Sequence, residues 1–245
     1  MQNYRLTIEY DGAAYHGWQR QKRDPTIQGE IEKALEKMTR QKVVVNGSGR
    51  TDAGVHALAQ TANFKSDAGL SAEAFQMGLN SLLKDDIVIK ACQVVDDTFH
   101  ARYDARGKIY QYCILNSKVS SALRRNRVWH IRRKLDFYAM QRAAVHLLGE
   151  HDFKAFEGIG SPRSSTVRKV TMAEISRESA ANITFTIEAN GFLRYMVRNI
   201  VGTLVDVGQA KMGPERFKDV LESGDRGQAG ATAPPQGLFL FKVHY

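Results

Sequence analysis

The segment Gly47-Ser48-Gly49-Arg50-Thr51-Asp52-Ala53-Gly54-Val55-His56-Ala57 puts a carboxylate, a guanidinium and an imidazole in one glycine-rich run. Glycine lets a backbone bend sharply and lets a ligand approach it closely. Such a loop can present Asp52 as a short, stiff acid. The same residues also suit an Asp-containing turn with solvent-facing charges, and residue chemistry alone leaves both uses open. Two phosphate-loop uses fail on spacing. A dinucleotide fingerprint requires glycine where Asp52 stands. Gly49 and Gly54 have the P-loop separation, but Val55-His56 follow in place of Lys-Ser or Lys-Thr.

Arg198 lies among Met196, Val197, Ile200, Val201, Leu204 and Val205, a run that reads as a helix apolar nearly all round. A lone guanidinium buried there is costly unless a carboxylate pairs with it. Asp52 is one candidate; an exposed stripe or a structural partner elsewhere fits as well. Two stretches combine basic and aromatic residues, as RNA-facing loops do. One contains Trp18, Gln19, Arg20 and Arg23; the other runs from Arg124 to Lys134 around Trp129. No metal is expected. His146, Glu150 and His151 fit neither HExxH nor HxxEH, and the two cysteines cannot form the PCxxC of a zinc deaminase.

Those residues must be positioned by a chain of 245 residues, enough for one large domain or two small ones with cores of their own. The 35 Lys and Arg against 26 acidic residues give a net charge of +9, which suggests a polyanionic partner. No apolar run approaches the ~20 residues of a membrane helix, and the N-terminus reads as free of a signal peptide. Cys92 and Cys113, each in an apolar segment, read as buried thiols of a reducing cytoplasm.

Alternation of Tyr4, Leu6, Ile8 and Tyr10 predicts a strand. Thr26 opens a predicted helix with Ile27, Ile31, Ala34, Leu35 and Met38 on one face. Strands are expected over 43–45, 58–65 and 87–95, and a helix capped by Ser71 carries Phe75, Leu79 and Leu82. This β-α-β-β-α-β order is the split form that gives an antiparallel sheet with helices on one face. The second half repeats it loosely. Strands are expected over 108–115, 167–176, 183–189 and 238–243. Helices are expected from Asp136 to a stop at Gly149, over 192–207, and from Pro214. The expectation is therefore an α+β protein of two tandem units, 1–104 and 105–245, with a cleft between them or across a shared sheet.

The chain resembles the bacterial tRNA pseudouridine synthase A family over nearly its whole length. The resemblance rests on ordered motifs: Tyr10-Asp11-Gly12 with Tyr15 and Gly17-Trp18-Gln19; Thr26-Ile27-Gln28; Gly49 to Ala57; Phe99-His100-Ala101-Arg102; Lys108 to Tyr112; His151-Asp152-Phe153; Phe192 to Asn199; and Ala233-Pro234 with Gly237-Leu238. Ala59 and Lys84 stand where Gly and Pro are common in that family. The resemblance implies two ferredoxin-like (βαββαβ) units with an RNA-binding cleft, a homodimer, and no cofactor. It implies Asp52 as the catalytic carboxylate and nucleophile, Arg198 as its ion-pair partner, Tyr110 against the target uracil, and Arg50 on the RNA or the flipped nucleotide. The implied partner is the tRNA anticodon arm, with uridines 38, 39 and 40 as targets.

Isomerising uridine breaks the N1–C1′ bond, turns the base, joins C5 to C1′ and removes the C5 proton. The reaction is redox-neutral and needs the nucleotide extruded from its stack. A carboxylate near C1′ serves either as a nucleophile on the sugar or as a base giving a glycal. Two rival readings are a non-catalytic RNA-binding protein, and an RNA hydrolase with Asp52 and His56 as acid and base.

Overall fold

The computed structural model describes residues 1–158, 160 and 165–245. Among them the chain runs β1 (Gln2–Tyr10), α1 (Ile27–Thr39), β2 (Asn46–Gly47), β3 (His56–Ser66), α2 (Ala72–Leu82), β4 (Ile87–Val95), β5 (Gly107–Asn116) and β6 (Trp129–Ile131). It continues through α3 (Phe137–Val145), β7 (Gly149–Asp152), β8 (Val167–Ser179), β9 (Asn182–Ala189), α4 (Met196–Gly208), α5 (Pro214–Ser223) and β10 (Leu238–His244). The protein is thus α+β. It forms two compact units, Met1–Arg106 with Phe239–Tyr245, and Gly107–Leu238.

In the first unit the strand order is β4-β1-β3-β10, with β2 also on β3. All these pairings are antiparallel except that of β10 with β3. The period-two pattern of β1 buries Tyr4, Leu6, Ile8 and Tyr10. Helix α1 lays Ile27, Ile31, Ala34 and Leu35 into the core, and α2 adds Phe75 and Leu79. Tyr4 stacks on Phe64 at 5.2 Å, and Phe75 meets Phe64 edge-on at 5.0 Å. Side chains cap both helices: Thr26 accepts from the Gly29 amide and Ser71 from that of Ala74. The β1–β3 register shifts between Ile8 and Tyr10. A bulge re-aims a strand, and this one lies where β1 runs into residues 11–18 and β3 leaves the Asp52 loop.

In the second unit the order is β5-β9-β8-β7, antiparallel throughout, with β6 parallel to β5. Helix α3 buries Ala139, Met140, Ala143 and Ala144, and α4 is buried along most of its length. Phe156 stacks on Phe217 at 5.7 Å beneath α5.

Several elements differ from the sequence expectation. Residues 43–45 are not a strand; the pairing falls on Asn46–Gly47. Val43 and Val45 are instead buried, with the Val45 amide bonded to Glu32 of α1. Leu82, expected on the apolar face of α2, is 44% exposed. Helix α3 ends at Val145, and Gly149 begins β7 with φ 105°. Helix α4 starts at Met196 rather than 192, because Tyr195 takes a left-handed conformation with φ 61°. A residue in that region cannot continue a right-handed helix.

Candidate active site

The Asp52 loop is held by backbone bonds from residues 11–18. The Trp18 amide donates to the Thr51 carbonyl at 3.1 Å, and the Gly54 amide to that of Tyr15 at 3.2 Å. The Val55 amide closes a turn onto the Asp52 carbonyl at 3.2 Å. Gly54 supplies that turn's positive φ of 76°. Opposite it, Gly17 has φ 86°, and a Cβ there would lie 2.5 Å from the Thr51 carbonyl oxygen. A Cβ at Gly12 would likewise collide with the Val55 carbonyl. The two segments therefore approach backbone to backbone.

Side chains complete the grip. The Thr51 hydroxyl shares a 2.7 Å hydrogen bond with the Tyr10 hydroxyl, and both residues are buried. Burial keeps the Tyr10 phenol protonated far above its ordinary range. Ser48 donates to Gln60 at 2.6 Å, and Gln60 donates to the Gly49 carbonyl at 2.9 Å. Within this frame Asp52 is half-buried.

His56 is 2% exposed and stacked on Phe239 at 4.7 Å. Its Nδ1 accepts from the Gly12 amide and lies 3.1 Å from Asp11. The imidazole thus ties residues 11–12 to the start of β3.

Arg50 is exposed, and its Nε donates to Gln19 Oε1 at 3.0 Å. Trp18, expected at the RNA surface, is 2% exposed, and a Cβ on Gly47 would lie 2.5 Å from its indole. The ring is a floor under the loop. Gln19, Arg20 and Arg23 are exposed. Arg20 also pairs with the nearly buried Glu32, Nη1 to Oε2 3.1 Å.

In the second unit, Arg198 is half-buried near the start of α4. Its Nε donates to the Ala233 carbonyl at 2.7 Å, while the Ala233 amide donates to the Arg198 carbonyl at 3.1 Å. The guanidinium carbon lies 5.0 Å from the centre of the Tyr195 ring, and that of Arg194 4.7 Å. Arg198 also counteracts, in part, the rise that burial imposes on the Tyr112 phenol. Tyr110 is 7% exposed and meets Phe192 edge-on at 5.0 Å. Asn199, fully buried next to Arg198, donates to the Phe156 carbonyl and accepts from Thr232 and Arg226. In the sequence Asn199 stands only as the last residue of the Phe192 to Asn199 motif, with no role attached. An amide amid apolar helix positions was the available signal, since a buried amide needs several partners.

The second basic stretch is built on one side chain. Asn116 donates to the carbonyls of Ile131 and Arg133 and accepts from the Leu135 amide, so residues 117–134 leave and return at one point. Val128 and Ile131 anchor this arm in the core, while Arg125, Arg127, Arg132, Arg133 and Lys134 are exposed. Seven of the chain's 35 Lys and Arg, and none of its 26 acidic residues, lie between Ser117 and Lys134. Without them the net charge of +9 would be +2.

An α+β scaffold with a clamped acid-bearing loop and a concentrated basic surface has the equipment of a protein that works on nucleic acid. The family described as tRNA pseudouridine synthase matches residues 6–104 and 143–245. The tRNA pseudouridine synthase A of Acetivibrio thermocellus is 49% identical over 245 residues, covering 100% of both chains. That of Thermoanaerobacter sp. is 49% identical over 246 residues, again covering 100% of both. A solved H/ACA RNP bound to a substrate RNA containing 2′-deoxyuridine aligns with 82% of this chain and 44% of its own, at 11% identity and a TM-score of 0.38. The chain belongs to the tRNA pseudouridine synthase family: it is an isomerase acting on tRNA uridine. This excludes the purely RNA-binding and hydrolytic readings. Among the described residues no helix is long and apolar enough to cross a membrane.

Proposed function

We propose that this isomerase acts on uridines 38, 39 and 40 of the tRNA anticodon arm, with the Asp52 carboxylate as nucleophile at C1′. The observation that carries the reading is the clamp: residues 10–18 fix the backbone on both sides of Asp52 while the residue itself remains partly open. A carboxylate fixed in this way meets a sugar carbon without reorganising, which is how positioning lowers a barrier. Arg198 is its ion-pair partner and keeps it ionised. Tyr110 lies against the uracil, and Arg50 holds the extruded nucleotide. In this scheme the N1–C1′ electrons leave with the uracil, the base turns, C5 attacks C1′ and expels Asp52, and the C5 proton departs. The site excludes water while the base is detached, since water would hydrolyse the glycosyl intermediate.

The same reading takes 1–104 and 105–245 as tandem ferredoxin-like units with an RNA cleft. The order β4-β1-β3 with β2 on β3 supports it for the first unit. The active form is a cytoplasmic homodimer without a cofactor. The basic arm and the exposed Gln19, Arg20 and Arg23 meet tRNA phosphates, the arm supplying most of the chain's excess positive charge. The test is tritium release from 5-tritiated uridine in tRNA, with the labelled positions mapped. Asp52→Asn is expected to bind tRNA while releasing nothing. Release from wild-type enzyme confined to uridines outside the anticodon arm overturns the target assignment.

A further inference from the structure

Arg50 is connected to a buried carboxylate by a hydrogen-bond chain whose direction is unambiguous. The Arg50 Nε donates to Gln19 Oε1 at 3.0 Å, and Gln19 Nε2 donates to Gln28 Oε1 at 2.8 Å. Gln28 Nε2 donates to Glu32 Oε1 at 3.1 Å. Backbone groups set the orientation of these amides. The Arg20 amide can only donate, and it meets Gln28 Oε1 at 2.8 Å. The Val45 carbonyl can only accept, and it meets Gln28 Nε2 at 3.0 Å. A flipped Gln28 would oppose both, so its oxygen must face Gln19. Gln19 must then turn its NH₂ inward and its oxygen toward Arg50. At the inner end Glu32 is 7% exposed, accepts from the Val45 amide at 3.1 Å and pairs with Arg20. A cation and an anion thus terminate a chain in which every donor points the same way, an arrangement in which each bond polarises the next.

We infer that Gln19, Gln28 and Glu32 are positioning residues for Arg50, orienting its guanidinium so that the extruded nucleotide is held in its reactive pose. The inference rests on the proposed role of Arg50. It explains why α1 carries two buried polar residues, Gln28 and Glu32, one turn apart. Gln28 and Glu32 act through Gln19 rather than on RNA.

The test is a double-mutant cycle in the full-length enzyme, reading kcat and KM by tritium release and tRNA Kd by filter binding. Gln19→Ala and Gln28→Leu should each lower kcat about tenfold, the scale of a modest loss of positioning, and Gln28→Leu, which changes a buried residue, should alter Kd less than about twofold. Arg50→Ala should lower it further. Each double variant with Arg50→Ala should be no slower than Arg50→Ala alone, because nothing remains to be positioned. A merely structural role would instead multiply with the Arg50 effect, and that outcome overturns the inference. So does wild-type kcat in Gln19→Ala, which changes an exposed residue and carries the test even if Gln28→Leu fails to fold. Full activity of Arg50→Ala would overturn the role of Arg50 itself, a result distinct from a multiplicative cycle.

Discussion

The backbone of the Asp52 loop packs against two glycines that are not its sequence neighbours, Gly17 at Thr51 and Gly12 at Val55. Gly12 and Gly17 have no side chains because the backbone of the loop occupies that space. Both were visible in the sequence as motif residues, yet nothing in their local context shows that they face Thr51 and Val55. That contact spans more than thirty positions and exists only once β1 and β3 pair. Trp18 shows the same limit: a Trp beside basic residues reads as a stacking surface, and only the fold shows it beneath Gly47. Gly17→Ala therefore has two costs, a left-handed φ and a collision with a carbonyl, each typically about 1–3 kcal/mol. The expected outcome is a lower melting temperature with kcat reduced more than tRNA affinity, read by thermal unfolding and steady-state kinetics. Unchanged melting and turnover would show that the clamp has slack.

At the level of elements, most of the scaffold was legible. Thr26, Ser71 and Asp136 announce helix starts, and each accepts from the amide three residues on. Strand alternation in β1 and the apolar run of β5 needed no tertiary information. The errors fall where local signals are weak. β6 and β7 are three and four residues long and exist through their partners. The late start of α4 depends on the φ of Tyr195, and a tyrosine does not advertise a left-handed backbone as glycine or asparagine does. The chemistry of the site was readable as residue types, whereas the Gln28–Glu32 chain was not, because it needs Gln19 and Arg50 folded against α1. Helix α4 offers a test of packing against propensity. Gly202→Ala gains up to about 1 kcal/mol of helix propensity, but the added methyl would overlap the Ala231 carbonyl. Overpacking against backbone costs about 1–3 kcal/mol, so the variant should melt several degrees lower. A melting temperature at or above wild type would mean that residues 230–233 yield freely.

Over the whole molecule, burial has a consequence for pH. It raises the Cys92 thiol to about 11 and the Tyr245 phenol to about 12, and pushes Tyr10 and Tyr112 higher still. In the unfolded chain these groups ionise near their ordinary values of 9.0 and 10.0. Above those values the unfolded state holds fewer protons than the folded one, so stability falls as pH rises. The contribution is complete below pH 9 and is lost progressively through 11 and 12. Melting temperature should decline across that window, and tyrosinate absorbance should include a fraction that develops only as the fold is lost. A flat melting profile, with all tyrosines titrating in the folded enzyme, would contradict the burial described for this core.

The central claim concerns Asp52, and its most direct test is a single-turnover assay of tritium release from 5-tritiated uridine in tRNA by Asp52→Ala. The wild-type enzyme should release tritium from the anticodon arm, while the variant should bind the same tRNA with nearly unchanged affinity and release none. Because the clamp on the loop is made mainly by backbone groups and by Thr51, Tyr10 and Trp18, the variant should also melt close to wild type. Appreciable release by a folded Asp52→Ala enzyme would remove Asp52 from the chemistry.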